Sequence, residues 1–145
     1  MIVDVHAHCY PKPYIEELRR IGAGEEGGIG IKIPAWSTAE KSIHTLDDHG
    51  IDVQVLSLSA PNVYFQDVGL SRELAQMTND YISDICKRYP QRFMGFASVP
   101  LNNLKYAFEE LERARRILNM DGVVLGTTVN GIPLSDGQFV PFFEE

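Results

Sequence analysis

At 145 residues the chain is long enough for one domain with a sizeable core, and its 44% apolar content is ordinary for a folded globular protein. Thirteen basic against twenty acidic residues give a formal charge of −7, which argues against nucleic acid or an anionic membrane surface as the main partner. Cys9 and Cys86 are the only cysteines, far apart and in no CxxC pair, so no disulfide framework is expected and a reduced, cytoplasmic setting is the default. No basic region followed by an apolar core opens the chain, and no apolar run approaches the ~20 residues of a membrane helix.

Ile2–Val5 is short and β-branched and reads as a buried strand ending at His6 and His8. Side chains two apart on a strand point the same way, so the two imidazoles lie side by side, a geometry that suits a divalent metal. Residues Cys9–Thr38 form a long excursion. It holds a predicted helix at Tyr14–Arg20 and then Gly22, Gly24, Gly27, Gly28 and Gly30, a composition of mobile backbone and of binding loops. A helix capped by Ser37 or Thr38 runs to about Asp48 and ends at Gly50.

Ile51–Ser59 alternates apolar and polar residues as a second strand, closed by Pro61-Asn62. A helix starts at Ser71, with Leu74, Met77, Tyr81, Ile85 and Tyr89 along one face and Pro90 as its stop. Phe93–Val99 is the third strand. Asn103–Asn119 is a helix with Leu104, Phe108, Leu111 and Leu118 as its stripe and with Glu109–Arg113 and Glu112–Arg116 as i,i+4 pairs. Asp121-Gly122 leads into a fourth strand, Val123–Val129, followed by a turn at Asn130-Gly131. Pro141 fits the first position of another helix, with Glu144 and Glu145 in its first turn.

The order βαβαβαβα specifies a parallel sheet with right-handed crossovers, either half of a barrel or an open doubly wound sheet. Four βα units fill this chain, whereas a complete (β/α)8 barrel takes ~250 residues. The expectation is therefore a single partial domain over residues 1–145, the N-terminal half of a (β/α)8 TIM barrel, truncated at its C-terminus. Such a half exposes two strand edges and an apolar inner face, and is expected to form a homo-oligomer or to pair with another polypeptide.

Three stretches carry a family resemblance. They are Asp4-Val5-His6-Ala7-His8, the block from Asn79-Asp80 through Tyr89-Pro90-Gln91-Arg92-Phe93 to Val99-Pro100, and Gly122-Val123 with Asn130-Gly131, Leu134-Ser135-Asp136 and Phe139-Val140-Pro141-Phe142. The chain resembles the N-terminal half of the amidohydrolase-related metal-dependent hydrolases, which include 2-amino-3-carboxymuconate 6-semialdehyde decarboxylase and γ-resorcylate decarboxylase. The resemblance implies a distorted barrel with one divalent metal, usually zinc, at the carboxyl ends of the strands. His6 and His8 map to the first two ligands. The family's remaining ligands, a histidine after strand five and the catalytic aspartate after strand eight, have no position in this chain.

Further residues invite a role. Asp4 has the parity of both histidines and so stands one layer deeper on their face, where it either orients a ligand imidazole or accepts a structural hydrogen bond. Cys9 points to the other face if the strand continues and then packs, a role as third ligand needing a chain turn; Cys86 lies on a helix, core-facing or partly exposed. His44, Asp47, Asp48 and His49 fall at the bottom of the barrel, away from the end where barrel sites lie, and read as a solvated helix end. Ser59, Asn62 and Tyr64 after strand two, and Thr127, Thr128 and Asn130 after strand four, sit at the active face as substrate contacts or ordinary loop polarity. Trp36 stacks on a planar substrate or packs the first loop onto the barrel.

The function expected at family level is a metal-dependent decarboxylase or hydrolase of a small carboxylated, unsaturated or aromatic substrate. A non-catalytic half-barrel that assembles with itself or a partner is the second expectation, and an unrelated open α/β domain the third. No Gly-rich phosphate loop follows strand one, so nucleotide binding has no support.

Overall fold

A computed structural model describes residues 1–23 and 39–145. Trp36, the caps Ser37 and Thr38, and the glycines from Gly24 to Gly30 lie outside the described residues. Four strands form one sheet in the order β1 (Val3–His8), β2 (Val53–Ser57), β3 (Phe93–Ser98) and β4 (Gly122–Val124). Every neighbouring pair is parallel. The connections carry α1 (Lys12–Arg20), α2 (Ala39–Asp48), α3 (Val68–Arg88) and α4 (Leu104–Arg116).

The helices cover one face of the sheet. Leu46 of α2, Ile82 and Ile85 of α3, Leu56 of β2 and Phe93 of β3 share one buried cluster with Cys9. Gly95 shows how closely α3 lies on β3: a Cβ there would stand 2.8 Å from Ile82 Cγ2 and 3.3 Å from Cys86 Sγ. On the other face Val3, Val5 and Met94 are exposed. A doubly wound sheet carries helices on both faces. Among the described residues the helices lie on one face of this sheet, the arrangement of the N-terminal half of a (β/α)8 barrel. Among the described residues no helix is long and apolar enough to cross a membrane.

Several boundaries differ from the sequence expectation, each for a local reason. β1 runs on through both histidines, and Val3 and Val5 stand on the face that no described helix covers, so they are exposed instead of buried. α3 begins at Val68, three residues before Ser71, because the Asp67 carboxylate accepts from the Gly69 and Leu70 N–H groups at 2.9 and 3.2 Å. Its buried face runs through Ser71, Leu74, Ala75, Thr78, Asn79, Ile82, Ser83 and Ile85, which leaves Met77 and Tyr81 only partly covered. α4 ends at Arg116 and Asn119 turns left-handed at φ 54°, while the Met120 N–H closes the end on Ala114 O.

Of the two expected ion pairs on α4, Glu112–Arg116 forms at 2.7 Å. Arg113 turns instead to Glu110 at 2.8 Å and Asp80 at 2.6 Å, and Glu109 meets Arg72 at 2.9 Å. The fourth strand is short. Thr128–Val129 leaves the sheet to form β5 of a hairpin with β6 (Ile132–Pro133), turning at Asn130 (φ 50°) and Gly131 (φ 81°). A 3₁₀ turn at Gly137–Phe139 leads into α5 (Val140–Phe143). Pro141 does sit in its first turn, but Glu144 caps the C-terminal end and no acidic residue occupies the first turn.

Candidate metal centre

β1 and β2 pair Val3 with Val53 and Asp4 with Gln54, then Ala7 with Leu56 and His8 with Ser57. Two residues of β1, Val5 and His6, therefore oppose the single Val55, which is a bulge. Asp4 closes it. One carboxylate oxygen accepts the His6 N–H at 3.1 Å and the other accepts from Gln54 Nε2 at 2.8 Å. These two bonds, the Gln54 amide first, hold the Asp4 carboxyl below its usual pKa.

The extra residue reverses the side-chain parity beyond it. Asp4 lies on the face of Gln54 and Leu56, the helix-covered side, while His8 lies with Ser57 on the open side. Asp4 is thus not behind the histidines on their own face, as simple alternation requires. It acts on the His6 backbone and not on an imidazole.

The bulge leaves the two imidazoles together, with ring centroids 4.8 Å apart and planes at 69°. Two rings sharing one ion through bonds of about 2.1 Å have centroids at most about 6.5 Å apart, so this spacing fits joint coordination. His6 is exposed and His8 half-buried. Burial, and secondly the neighbouring His6, lower the His8 pKa and favour the neutral ring that metals bind. His8 Nδ1 lies 3.2 Å from Ser57 Oγ. Among the described residues no group of three or more His, Cys, Asp or Glu side chains converges on a common point.

His8, Ser57 and Ser98 are the last residues of β1, β2 and β3, so the pair stands at the carboxyl ends of the strands. The loop after β2 lies near by. Tyr10 OH donates to Ala60 O at 3.2 Å, and Asn62 takes a left-handed φ of 63° while its carbonyl accepts from Tyr14 OH. Gly126, after β4, approaches this loop so closely that a Cβ would stand 3.3 Å from Asn62 Nδ2 and 3.8 Å from Tyr64 Cε2. The structure thus joins Asn62 and Tyr64 to the loop after β4. Thr127, Thr128 and Asn130 are at least partly exposed and serve the hairpin: Thr127 O accepts from Leu134 N–H and Asn130 forms the tip.

The remaining candidates are structural. Cys9 is buried among Leu46, Leu56, Ile82 and Phe93, with its thiol pushed up to about 12 by burial. Cys86 is partly buried and pushed up to about 11, again mainly by burial. His44, Asp47, Asp48 and His49 lie at the opposite end of the strands, on the exposed side of the α2 terminus. There Asp47 pairs with Arg92 at 2.7 Å, and His49 Nδ1 bonds Thr45 O at 2.8 Å.

Sequence reasoning passed over Ser57, Asn79 and Glu110. The signal for Ser57 is a hydroxyl at the end of a strand, flanked by the buried Leu56 and Leu58. Glu110 left a weaker one, a charge between Ala107 and Ala114 with an arginine three residues on.

No known protein-family model matches the chain. Curated relatives do. Over 99% of its length the chain is 33% identical to the decarboxylase yanB of Aspergillus niger and 34% identical to 2-amino-3-carboxymuconate-6-semialdehyde decarboxylase of Dictyostelium discoideum. The chain belongs to the amidohydrolase-related family. It spans less than half the length of these two family members, 39% and 45%. The family fold is shared with a 5-carboxyvanillate decarboxylase of Novosphingobium aromaticivorans, solved with manganese and a nitrobenzoic acid. That match has a TM-score of 0.84 at 24% identity and covers 99% of this chain and 46% of the other.

Proposed function

We propose that His6 and His8 are the strand-one ligands of a divalent metal centre in a decarboxylase of small carboxylated aromatic acids. The observation that carries this is the pair of imidazoles 4.8 Å apart at the carboxyl end of β1. The names of the relatives support the reaction class, and the solved decarboxylase supports a divalent ion, manganese in that protein. Imidazole suits zinc equally well, and zinc is the first choice for this chain. Two imidazoles under-hold such an ion, since catalytic zinc takes three protein ligands and an open position, so further ligands complete the centre from outside the described residues.

When bound, the ion supplies Lewis-acid polarisation of a substrate oxygen. The chain's own residues position the ligands. Asp4 fixes the backbone that carries His6, and Ser57 contacts the ring of His8. Tyr10 follows β1, and Asn62 and Tyr64 follow β2, at the same end of the sheet as the histidines.

The test is product analysis with zinc or manganese and 2,6-dihydroxybenzoate as probe. Carbon dioxide release that a chelator and His8→Ala both abolish supports the reading. Hydrolysis of an ester or amide probe without carbon dioxide release overturns the decarboxylase assignment.

A second reading is a non-catalytic half-barrel, residues 1–145 acting as one unit that assembles with itself or with a partner supplying more strands. The open face favours it, with Val3 39%, Val5 68% and Met94 38% exposed. A monomer by light scattering that binds one metal and turns over substrate removes this reading.

A further inference from the structure

Ser57 is held from both sides at the end of β2. Its carbonyl accepts the Cys9 N–H at 2.8 Å, and its hydroxyl donates to Ala7 O at 3.1 Å. Only 7% of the residue is exposed, so no sizeable water shell competes for the hydroxyl. A serine hydroxyl has one proton to give, and a peptide carbonyl can only accept. With the Ser57 proton directed to Ala7 O, what Ser57 Oγ offers to His8 Nδ1, 3.2 Å away, is a lone pair. The bond between them exists only if His8 Nδ1 carries the hydrogen.

We infer that Ser57 is a positioning residue: by accepting from His8 Nδ1 it holds His8 as the Nδ1–H tautomer and keeps Nε2 bare for a metal ion. The inference rests on the metal reading of His6 and His8 for its purpose, but not for its geometry. A ligand histidine generally has its second nitrogen tied to an oxygen acceptor, which fixes both tautomer and ring orientation. Carboxylates and backbone carbonyls usually serve, and simple strand alternation offers Asp4 for the part. The bulge sends the Asp4 carboxylate to the other face of the sheet, and it is Ser57, level with His8 on the neighbouring strand, that meets the imidazole. His6 and His8 are thereby supported by different strategies. Asp4 holds the backbone of the first, and Ser57 holds the ring of the second.

The experiment uses the whole chain and two variants, Ser57→Ala and Ser57→Thr. Ring nitrogen NMR of the metal-free chain, at a pH well above the histidine range, reads the tautomer directly. Zinc affinity is read separately by competition with a chromophoric chelator. The expected result is a protonated Nδ1 and a bare Nε2 on His8 in the parent chain. In Ser57→Ala the two tautomers mix and zinc affinity falls about tenfold. Ser57→Thr, which keeps the hydroxyl on the same face, restores both. A parent chain with the proton on His8 Nε2 overturns the inference, as does a Ser57→Ala variant with unchanged tautomer and affinity. If the parent shows Nδ1–H, dependent on Ser57, yet binds no zinc, the tautomer assignment stands and the two imidazoles alone do not hold the ion. A purely structural role for Ser57 would lower the melting temperature without moving the ring nitrogens.

Discussion

The side chain of Asn79, on α3, clasps the backbone of Ser98 at the carboxyl end of β3. Asn79 Nδ2 donates to Ser98 O at 2.8 Å, and Asn79 Oδ1 accepts the Ser98 N–H at 2.8 Å. Both residues are buried, and the same Nδ2 donates to Glu110 Oε1 at 2.6 Å. Helix, strand end and the next helix are locked at one point beneath the face that bears the histidines.

Asn79→Ala strands two backbone groups and part of a carboxylate away from water. A loss of about 3 kcal/mol in unfolding free energy is expected by denaturant titration. Ser98→Ala is the contrast. The Ser98 hydroxyl has no partner among the described residues, so removing it is expected to be neutral or mildly stabilising while the Asn79 bonds persist.

The carboxylate of Glu110 is 1% exposed and depends on Arg113, whose guanidinium also reaches Asp80. Arg113→Ala leaves a buried charge with only Asn79 as partner and is expected to cost about 3–5 kcal/mol. The double variant Glu110→Leu with Arg113→Met removes both charges together. It is expected to be clearly more stable than Arg113→Ala alone, and thermal unfolding of the two side by side checks this.

Asp4→Ala removes the acceptor for the His6 N–H and for Gln54 at a partly exposed site, with an expected loss of about 1 kcal/mol. Asp4→Asn keeps an oxygen for His6, and a flip of the Gln54 amide keeps the second bond. Equal melting temperatures for the Ala and Asn variants would show that the carboxylate does not close the bulge.

Cys9 and Cys86 hold their protons to about 12 and about 11, above the ordinary thiol value of 9.0. The folded state thus prefers the thiol. That contribution is fully present below the unfolded value and is lost as the pH rises through the folded ones. Alkylation by iodoacetamide near neutral pH is expected to be slow for both until the chain is denatured. Rapid native labelling of Cys9 would contradict its place in the core.

Much of the fold was legible in the sequence. The βα order, the parallel sheet and the position of the histidines follow from β-branched runs, helical stripes and breakers such as Pro90 and Gly50. What escaped has two physical causes. A one-residue bulge at Val5–His6 leaves no compositional trace, yet it moves Asp4 to the other face. Polar residues on a buried helix face look solvated to any pattern of apolar spacing. Asn79, Ser83 and Glu110 are buried because each meets a backbone or charge partner that only the fold provides. β4 was overread because Thr128–Val129 is as β-prone as Val123-Val124, and only strand pairing tells a hairpin from a sheet.

The proposed metal centre turns on His6 and His8 acting as one binding pair. Four histidines serve as internal reporters, with His44 and His49 at the opposite end of the strands. The direct measurement is a substoichiometric manganese titration followed by ring proton–carbon NMR of all four. The expected result is that His6 and His8 broaden first and together, and that a chelator reverses the effect. Broadening that begins at His44 and His49, or that spreads evenly over the four, would contradict the pairing.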